Sequence, residues 1–221
     1  MKKTLIITLT LFVFICKNIY SQQIYFSKRY DYKQGLEVAW SVLEIDSGYI
    51  IAGGGYGAGI GSYTGIVIIQ MDFIGDTLWK KFYGKPGFAY YAGRSGSFIP
   101  TADGGFALGG TMTDSSGNAN ALLMKFDQNG DTLWTEIYNN SNFDTGYNCR
   151  QTNDDGFIII GYTTGTGKNN TDIYLIKSDS LGNIEWQKAY GGSNIEKAFS
   201  VEQTQDGGFI LGGGTNSFGV G

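Results

Sequence analysis

The sequence predicts an all-β protein assembled from repeated four-stranded antiparallel units. Three observations carry that expectation. First, one text recurs: GIVIIQMDFIGDTLWKKFYG from Gly65 to Gly84, NALLMKFDQNGDTLWTEIYN from Asn120 to Asn139, and DIYLIKSDSLGNIEWQKAYGG from Asp172 to Gly192. A second module stands ahead of each copy and once more near the end of the chain: DSGYIIAGG from Asp46, DGGFALGG from Asp103, DDGFIIIG from Asp154 and DGGFILGG from Asp206. Second, the spacing is regular. Trp79, Trp134 and Trp186 are 55 and 52 residues apart, and Tyr49, Phe106, Phe157 and Phe209 are 57, 51 and 52 apart. Third, no segment carries the 3.6-residue apolar period of a long helix, and Gly or Asn punctuates the text every ten or so residues.

The N-terminus reads as an address. Lys2 and Lys3 precede the apolar run Leu5 to Cys16, which is too short to span a bilayer, and Ser21 offers a small residue before Gln22. Residues 1–21 are therefore expected to be a signal peptide and 22–221 one repeat domain. Of the 16 basic residues three (Lys2, Lys3, Lys17) would leave with it, so 13 face 20 acidic ones and the net charge becomes −7. That balance speaks against nucleic acid or an anionic membrane as partner. One cysteine, Cys149, would remain, so no internal disulfide is expected and stability must come from a core rich in aromatics.

Each repeat resolves into strands a to d, with repeats near 38–83, 92–138, 147–190 and, in part, 198–221. Strand a is polar-mixed: AWSVLEI from Ala39, SFIPTA from Ser97, YNCRQT from Tyr147, AFSVEQT from Ala198. Strands b (YIIAGG, FALGG, FIIIG, FILGG) and c (IVIIQM, ALLMKF, IYLIKS) are nearly continuous apolar runs, which implies burial on both faces. Glycines closing strand b, such as Gly53, Gly54, Gly109, Gly110, Gly212 and Gly213, fit close approach of a neighbouring backbone. Between c and d lies Asp-x-x-Gly (Asp72/Gly75, Asp127/Gly130, Asp179/Gly182), a type I turn signature. In strand d the pairs Trp79/Tyr83, Trp134/Tyr138 and Trp186/Tyr190 share one face by the two-residue period and are expected to fill the gap to the next unit. An antiparallel sheet covered on both faces, repeated with a period near 50, predicts a β-propeller of four-stranded blades. The b–c loops (YGAGIGSYT from Tyr56, TDSSGNAN from Thr113, TTGTGKNNT from Thr163) and d–a loops (GKPGFAYYAG from Gly84, NNSNFDTG from Asn139) look long and variable and fall on one side, the expected binding side.

The unit LIKSDSLGNIEWQKAYGG followed by SVEQTQDGGFILGG resembles a group of secreted propeller-repeat proteins from Bacteroidetes. That resemblance implies a secreted or outer-surface protein tied to type IX secretion, with a C-terminal sorting domain in many members. The Asp, Gly and Trp spacing is also similar to the tryptophan-docking repeat of PQQ-dependent quinoproteins, which implies as an alternative a quinoprotein-like enzyme fragment. That pattern brings a calcium-linked carboxylate and often a vicinal cysteine pair, and this chain has no such pair.

No histidine occurs anywhere. Ser-His-Asp and Cys-His nucleophile systems and histidine-based metal sites are thereby excluded. The Asp-x-x-Gly carboxylates are explained by their turns. Asn153-Asp154-Asp155-Gly156 reads as a hairpin rather than a calcium loop, and Cys149 as a buried thiol. The expectation is a non-catalytic binding scaffold with no cofactor and no metal. The loop residues suited to contact a protein or glycan are Tyr56, Tyr63, Tyr90, Tyr91, Lys168, Asn169 and Asn170. Finally, QQIYFSKRY at the mature N-terminus looks like a strand d with Phe26 and Tyr30 in the Trp and Tyr places, and Gly221 falls in a b–c loop. A fragment of a larger propeller is expected, with about four blades present and the last incomplete.

Overall fold

The computed structural model describes residues 28, 30, 36–57, 61–94, 96–139, 143–164 and 170–218. The expected signal peptide, Phe26, Lys168 and Asn169 lie outside the described residues. Within them the chain is all-β and every strand pair is antiparallel.

Sheet 1 is a meander of β1 (Leu36–Ile45), β2 (Gly48–Gly57), β3 (Gly61–Met71) and β4 (Thr77–Tyr83). Sheet 2 holds β5 (Ala89–Ala92) and β6 (Phe98–Pro100), which both pair with β7 (Phe106–Thr113), then β8 (Ala119–Phe126) and β9 (Thr132–Tyr138). Sheet 3 is β10 (Asn148–Gln151), β11 (Phe157–Thr163), β12 (Asp172–Ser178) and β13 (Ile184–Tyr190). Sheet 4 has two strands, β14 (Glu196–Gln203) and β15 (Phe209–Thr215).

The sheets pack face on face. Ile50, Ile66 and Ile68 of sheet 1 meet Phe98, Leu108, Leu122 and Phe126 of sheet 2. Ala121 and Leu123 meet Cys149, Phe157 and Ile159 of sheet 3, and Ile158, Ile160 and Leu175 meet Ala198 and Val201 of sheet 4. Alternate residues of β7, β8, β11 and β12 thus enter cores on opposite sides, which is why those strands are nearly continuous apolar runs. The first strands also meet in series: β1 touches β6, β6 touches β10, and β10 touches β14.

The turns follow from their chemistry. In each of the three c–d turns the Gly N–H donates to the Asp carbonyl, and the glycines sit at φ 80°, 76° and 86°. The Asp carboxylate accepts backbone N–H groups two and four residues on, as at Asp127 from Asn129 and Asp131, both 2.8 Å. Asp154 and Asp155 belong to a hairpin turn, and Asp155 takes φ 62°, the left-handed region, where the equivalent residues are Gly104 and Gly207.

Several expectations about loops are corrected. The stretch from Gly84 is not a free loop: Ala89–Ala92 forms β5 because its backbone groups pair with β7. Within the expected b–c loop of sheet 1, residues 56–57 belong to β2 and residues 61–64 to β3, with Tyr56 opposite Thr64. The b–c connection of sheet 2 is a further Asp-x-x-Gly turn, where Asp114 Oδ1 accepts from Ser116 N at 2.8 Å and Asn118 N at 3.0 Å. The side expected to bind is therefore more regular than its composition suggests.

Candidate functional site

The first strand of each sheet, split into β5 and β6 in sheet 2, departs from regular pairing at the same point. In sheet 1 the register slips between Ala39 and Ser41, leaving Trp40 as the extra residue. In sheet 4 it slips between Ala198 and Ser200, leaving Phe199. In sheet 3 Tyr147 donates its N–H to the Ile160 carbonyl although Asn148 already faces Ile160. In sheet 2 both Gly93 and Ser97 bond Gly109, so the chain between them, with Arg94, is pushed out. Such bulges re-aim side chains and are enriched beside functional sites.

A glycine on the facing strand makes room for each bulge. A Cβ on Gly53, Gly110, Gly161 or Gly213 would collide with the carbonyl oxygen of Val38, Tyr91, Thr145 or Lys197 respectively. The glycines that close strand b therefore accommodate the bulge of their own sheet's first strand. Gly109 alone of this group meets the neighbouring sheet, against Cys149.

The bulges bring rings and cations together on the side of the b–c and d–a connections. Tyr147 stacks on Phe199 across sheets 3 and 4, with centroids 5.7 Å apart and planes at 27°. Tyr162 lies edge-on to Tyr147 at 5.3 Å, and Phe143 stacks on Tyr162 at 6.1 Å. The Arg94 guanidinium sits 5.2 Å from the Tyr147 ring and Lys197 Nζ 4.9 Å from the Tyr162 ring. Arg94 N also donates to the Tyr147 carbonyl at 2.9 Å, tying sheet 2 to the cluster. Phe199 and Trp40 remain 44% and 45% exposed, so ring faces are available to a ligand. Burial, and then its hydrogen bond to Tyr162, push the Tyr147 phenol up to about 12, so it stays neutral near pH 7. Below the cluster, Glu196 anchors the connection that enters sheet 4. Its carboxylate accepts from Gly192 N (2.8 Å), Thr215 Oγ1 (2.9 Å) and Ser217 N (3.2 Å).

Of the residues expected to bind, Tyr56 and Tyr91 are exposed but stand on different sheets. Tyr63 packs edge-on against Phe82 at 5.8 Å. Asn170 is half-buried and donates weakly to the Gly192 carbonyl. Tyr90 must be withdrawn: at 7% exposure it packs with Met112 and Phe98 in the core between sheets 1 and 2. The bulge residues Trp40, Arg94, Tyr147 and Phe199 were not singled out by the sequence. Their signal is the recurring small–aromatic–polar triplet Ala39-Trp40-Ser41, Gly146-Tyr147-Asn148 and Ala198-Phe199-Ser200, hidden because strand a is the least regular strand.

The opposite side is structural. Trp79 packs over Gly130 and Trp134 over Gly182 of the next sheet, and a Cβ on either glycine would strike the ring or its neighbour Glu136. Tyr83 Oη donates to the Gly130 carbonyl (2.5 Å) and Tyr138 Oη to the Gly182 carbonyl (2.9 Å). Tyr30 repeats the contact on the Gly75 carbonyl at 2.9 Å. Burial pushes the Tyr83 and Tyr138 phenols well above their ordinary range. Two buried lysines on strand c were also missed. Lys125 reaches Asp103 at 2.8 Å, and Lys177 reaches Asp154 and Glu185 at 2.9 Å. At Asp103 burial acts to raise the pKa, but Lys125, Thr101 and the Gly105 N–H outweigh it and hold the carboxyl at about 2. Thr152 and Lys177 hold Asp154 at about 2 as well. Cys149 is fully buried, its thiol pushed up to about 12 by burial. No protein-family model matches the chain, and no curated protein matches it.

Proposed function

We propose that this chain is a secreted or cell-surface β-propeller that acts as a non-catalytic scaffold, binding a protein or glycan through the side that carries its b–c and d–a connections. Meander sheets packed face on face, with first strands meeting in series, support the propeller reading. One observation carries the function: each sheet bulges at the same register, projecting Trp40, Arg94, Tyr147 and Phe199, and three of these join one ring-and-cation cluster. Exposed ring faces beside a guanidinium and an ammonium suit a sugar ring or a peptide side chain that bears a carboxylate.

Glycan and peptide arrays probed with the full chain identify the ligand. The double variant Tyr147→Ala/Phe199→Ala is expected to lose at least about tenfold in affinity, the effect of losing one or two stacking contacts. Tyr56→Ala and Tyr91→Ala are expected to retain it. Loss of binding in the latter pair with full binding in the former rejects the bulge cluster as the site.

A further inference from the structure

The junctions between units share one chemical code. A donor strand offers Tyr and, two residues before it, a partner side chain; the acceptor is the c–d turn of the next unit. Tyr30 takes the Gly75 carbonyl while Lys28 pairs with Asp76. Tyr83 takes the Gly130 carbonyl while Lys81 pairs with Asp131 at 2.6 Å. At the third junction Tyr138 takes the Gly182 carbonyl, Glu136 replaces the lysine, and the turn residue is Asn183 in place of Asp. Donor strands that carry lysine thus face turns with aspartate, and the donor strand that carries glutamate faces a turn with neutral asparagine.

A fourth donor is present and open. On β13, Trp186, Lys188 and Tyr190 repeat the spacing of Trp79, Lys81 and Tyr83. Lys188 Nζ lies 5.4 Å from the Trp186 ring, as Lys81 Nζ lies 5.4 Å from the Trp79 ring. Phe209 meets Trp186 edge-on at 5.8 Å, so the first half of the junction is formed. Tyr190, however, is 47% exposed, and its hydroxyl has no hydrogen-bond partner among the described residues. A recess of about 360 Å³ opens between Leu175, Trp186, Lys188, Tyr190, Phe209 and Leu211. The outer edge of β15 is unpaired among the described residues.

The geometry points to one kind of occupant: an apolar β-strand that pairs with β15 and ends in an Asp-x-x-Gly-Asp turn, a further repeat of the kind this chain carries. Its glycine carbonyl accepts from Tyr190, its last aspartate meets Lys188, and its glycine lies under Trp186. A second copy does not fit. Its Gly75, Gly130 and Gly182 turns are already held by Tyr30, Tyr83 and Tyr138. Its remaining Asp114–Gly117 turn joins two strands that are both paired on each side, so it has no strand to lay on β15.

The probe is a synthetic peptide with the sequence of residues 119–131, which contains a strand c and the turn Asp127 to Asp131. Added to the full chain and followed by calorimetry and Trp fluorescence, it is expected to bind one to one. Tyr190→Phe is expected to weaken binding by about two- to tenfold, the worth of one hydrogen bond. Lys188→Glu is expected to weaken it further, and a peptide carrying Asp131→Lys to restore it. Both substitutions fall on exposed side chains, so the variants should fold, which circular dichroism checks. Absence of saturable binding, equal binding by all variants, or self-association of the chain that Lys188→Glu abolishes, would each overturn the assignment.

Discussion

The junction between sheets 2 and 3 and the junction between sheets 3 and 4 begin from donor strands that share the Trp and Tyr places, TLWTEIY and IEWQKAY. They end differently. Tyr138 is 2% exposed and bonded to Gly182, whereas Tyr190 is 47% exposed. Sheet 3 offers a c–d turn to its neighbour, while among the described residues sheet 4 consists of β14 and β15. The aromatic residues of the last strand are thus buried by the neighbour's turn and not by their own strand. The same contrast holds for the buried cations: sheets 2 and 3 pair Lys125 and Lys177 with turn aspartates, while sheet 1 has neutral Gln70 donating to Ser47 at 2.8 Å.

The largest effect that tests this contrast is expected at the tryptophans. Trp134→Ala should cost about 3–5 kcal/mol in chemical denaturation, because it empties a junction closed by both Phe157 and the Gly182 turn. Trp186→Ala should cost clearly less, and Asn118→Ala, which removes one side-chain hydrogen bond to Asp114, about 1 kcal/mol or below. Equal losses at Trp134 and Trp186 would break the comparison.

Next come the buried lysines. Asp103→Asn leaves Lys125 buried with only the Phe126 carbonyl at 3.2 Å and weakened contact to the turn. With solvent screening at the exposed side of Asp103, the cost should be about 1–2 kcal/mol. Because Asp103 and Asp154 are depressed to about 2, their contribution is present above the ordinary carboxylate pKa and disappears as the pH falls from about 4 toward 2. Unfolding curves taken across that window should show the loss, and Asp103→Asn should flatten it. Ser47→Ala in sheet 1 should leave the pH profile unaltered.

Tyr138→Phe should cost about 1 kcal/mol, since it leaves the Gly182 carbonyl without its donor. Tyr190→Phe should change stability by a few tenths at most. A thermal midpoint that falls equally for both would show that the hydroxyl bond is not what separates the two junctions. The smallest effect is a gain. Asp155→Gly removes a left-handed non-glycine from the turn of sheet 3 and matches Gly104 and Gly207, so it should stabilise by up to about 1 kcal/mol. A loss on this substitution would mean that the Asp155 side chain contributes more than its backbone costs.

Strands b and c were legible because each is a nearly continuous apolar run, and the turns because Asp and Gly stand at fixed offsets with one backbone solution. The first strands were read less well. Ala89–Ala92 looked like loop, since Gly and aromatic residues surround it and its strand partners lie about 20 residues on, from Ala92 opposite Gly110 to Ala89 opposite Thr113. Tyr30, expected in the Tyr place of a strand d, does reach the Gly75 carbonyl, while most of the stretch around it lies outside the described residues. Tyr90 was misread because an aromatic residue near glycines looks exposed until a neighbouring sheet is laid over it.

By itself, then, the sequence determined what is local and periodic: the all-β class, the alternation of strands with Asp-x-x-Gly turns, and the Trp and Tyr places on strand d. These follow from backbone sterics and two-residue periodicity, which need no partner. Only the tertiary structure decided which residues cluster at the surface. Arg94, Tyr147 and Phe199 are separated by about 50 residues each, and they meet because three bulges fall at one register and three sheets stack in series. Side-chain neighbours of that kind depend on how sheets superpose, and a one-residue slip in any strand would turn the ring to the opposite face.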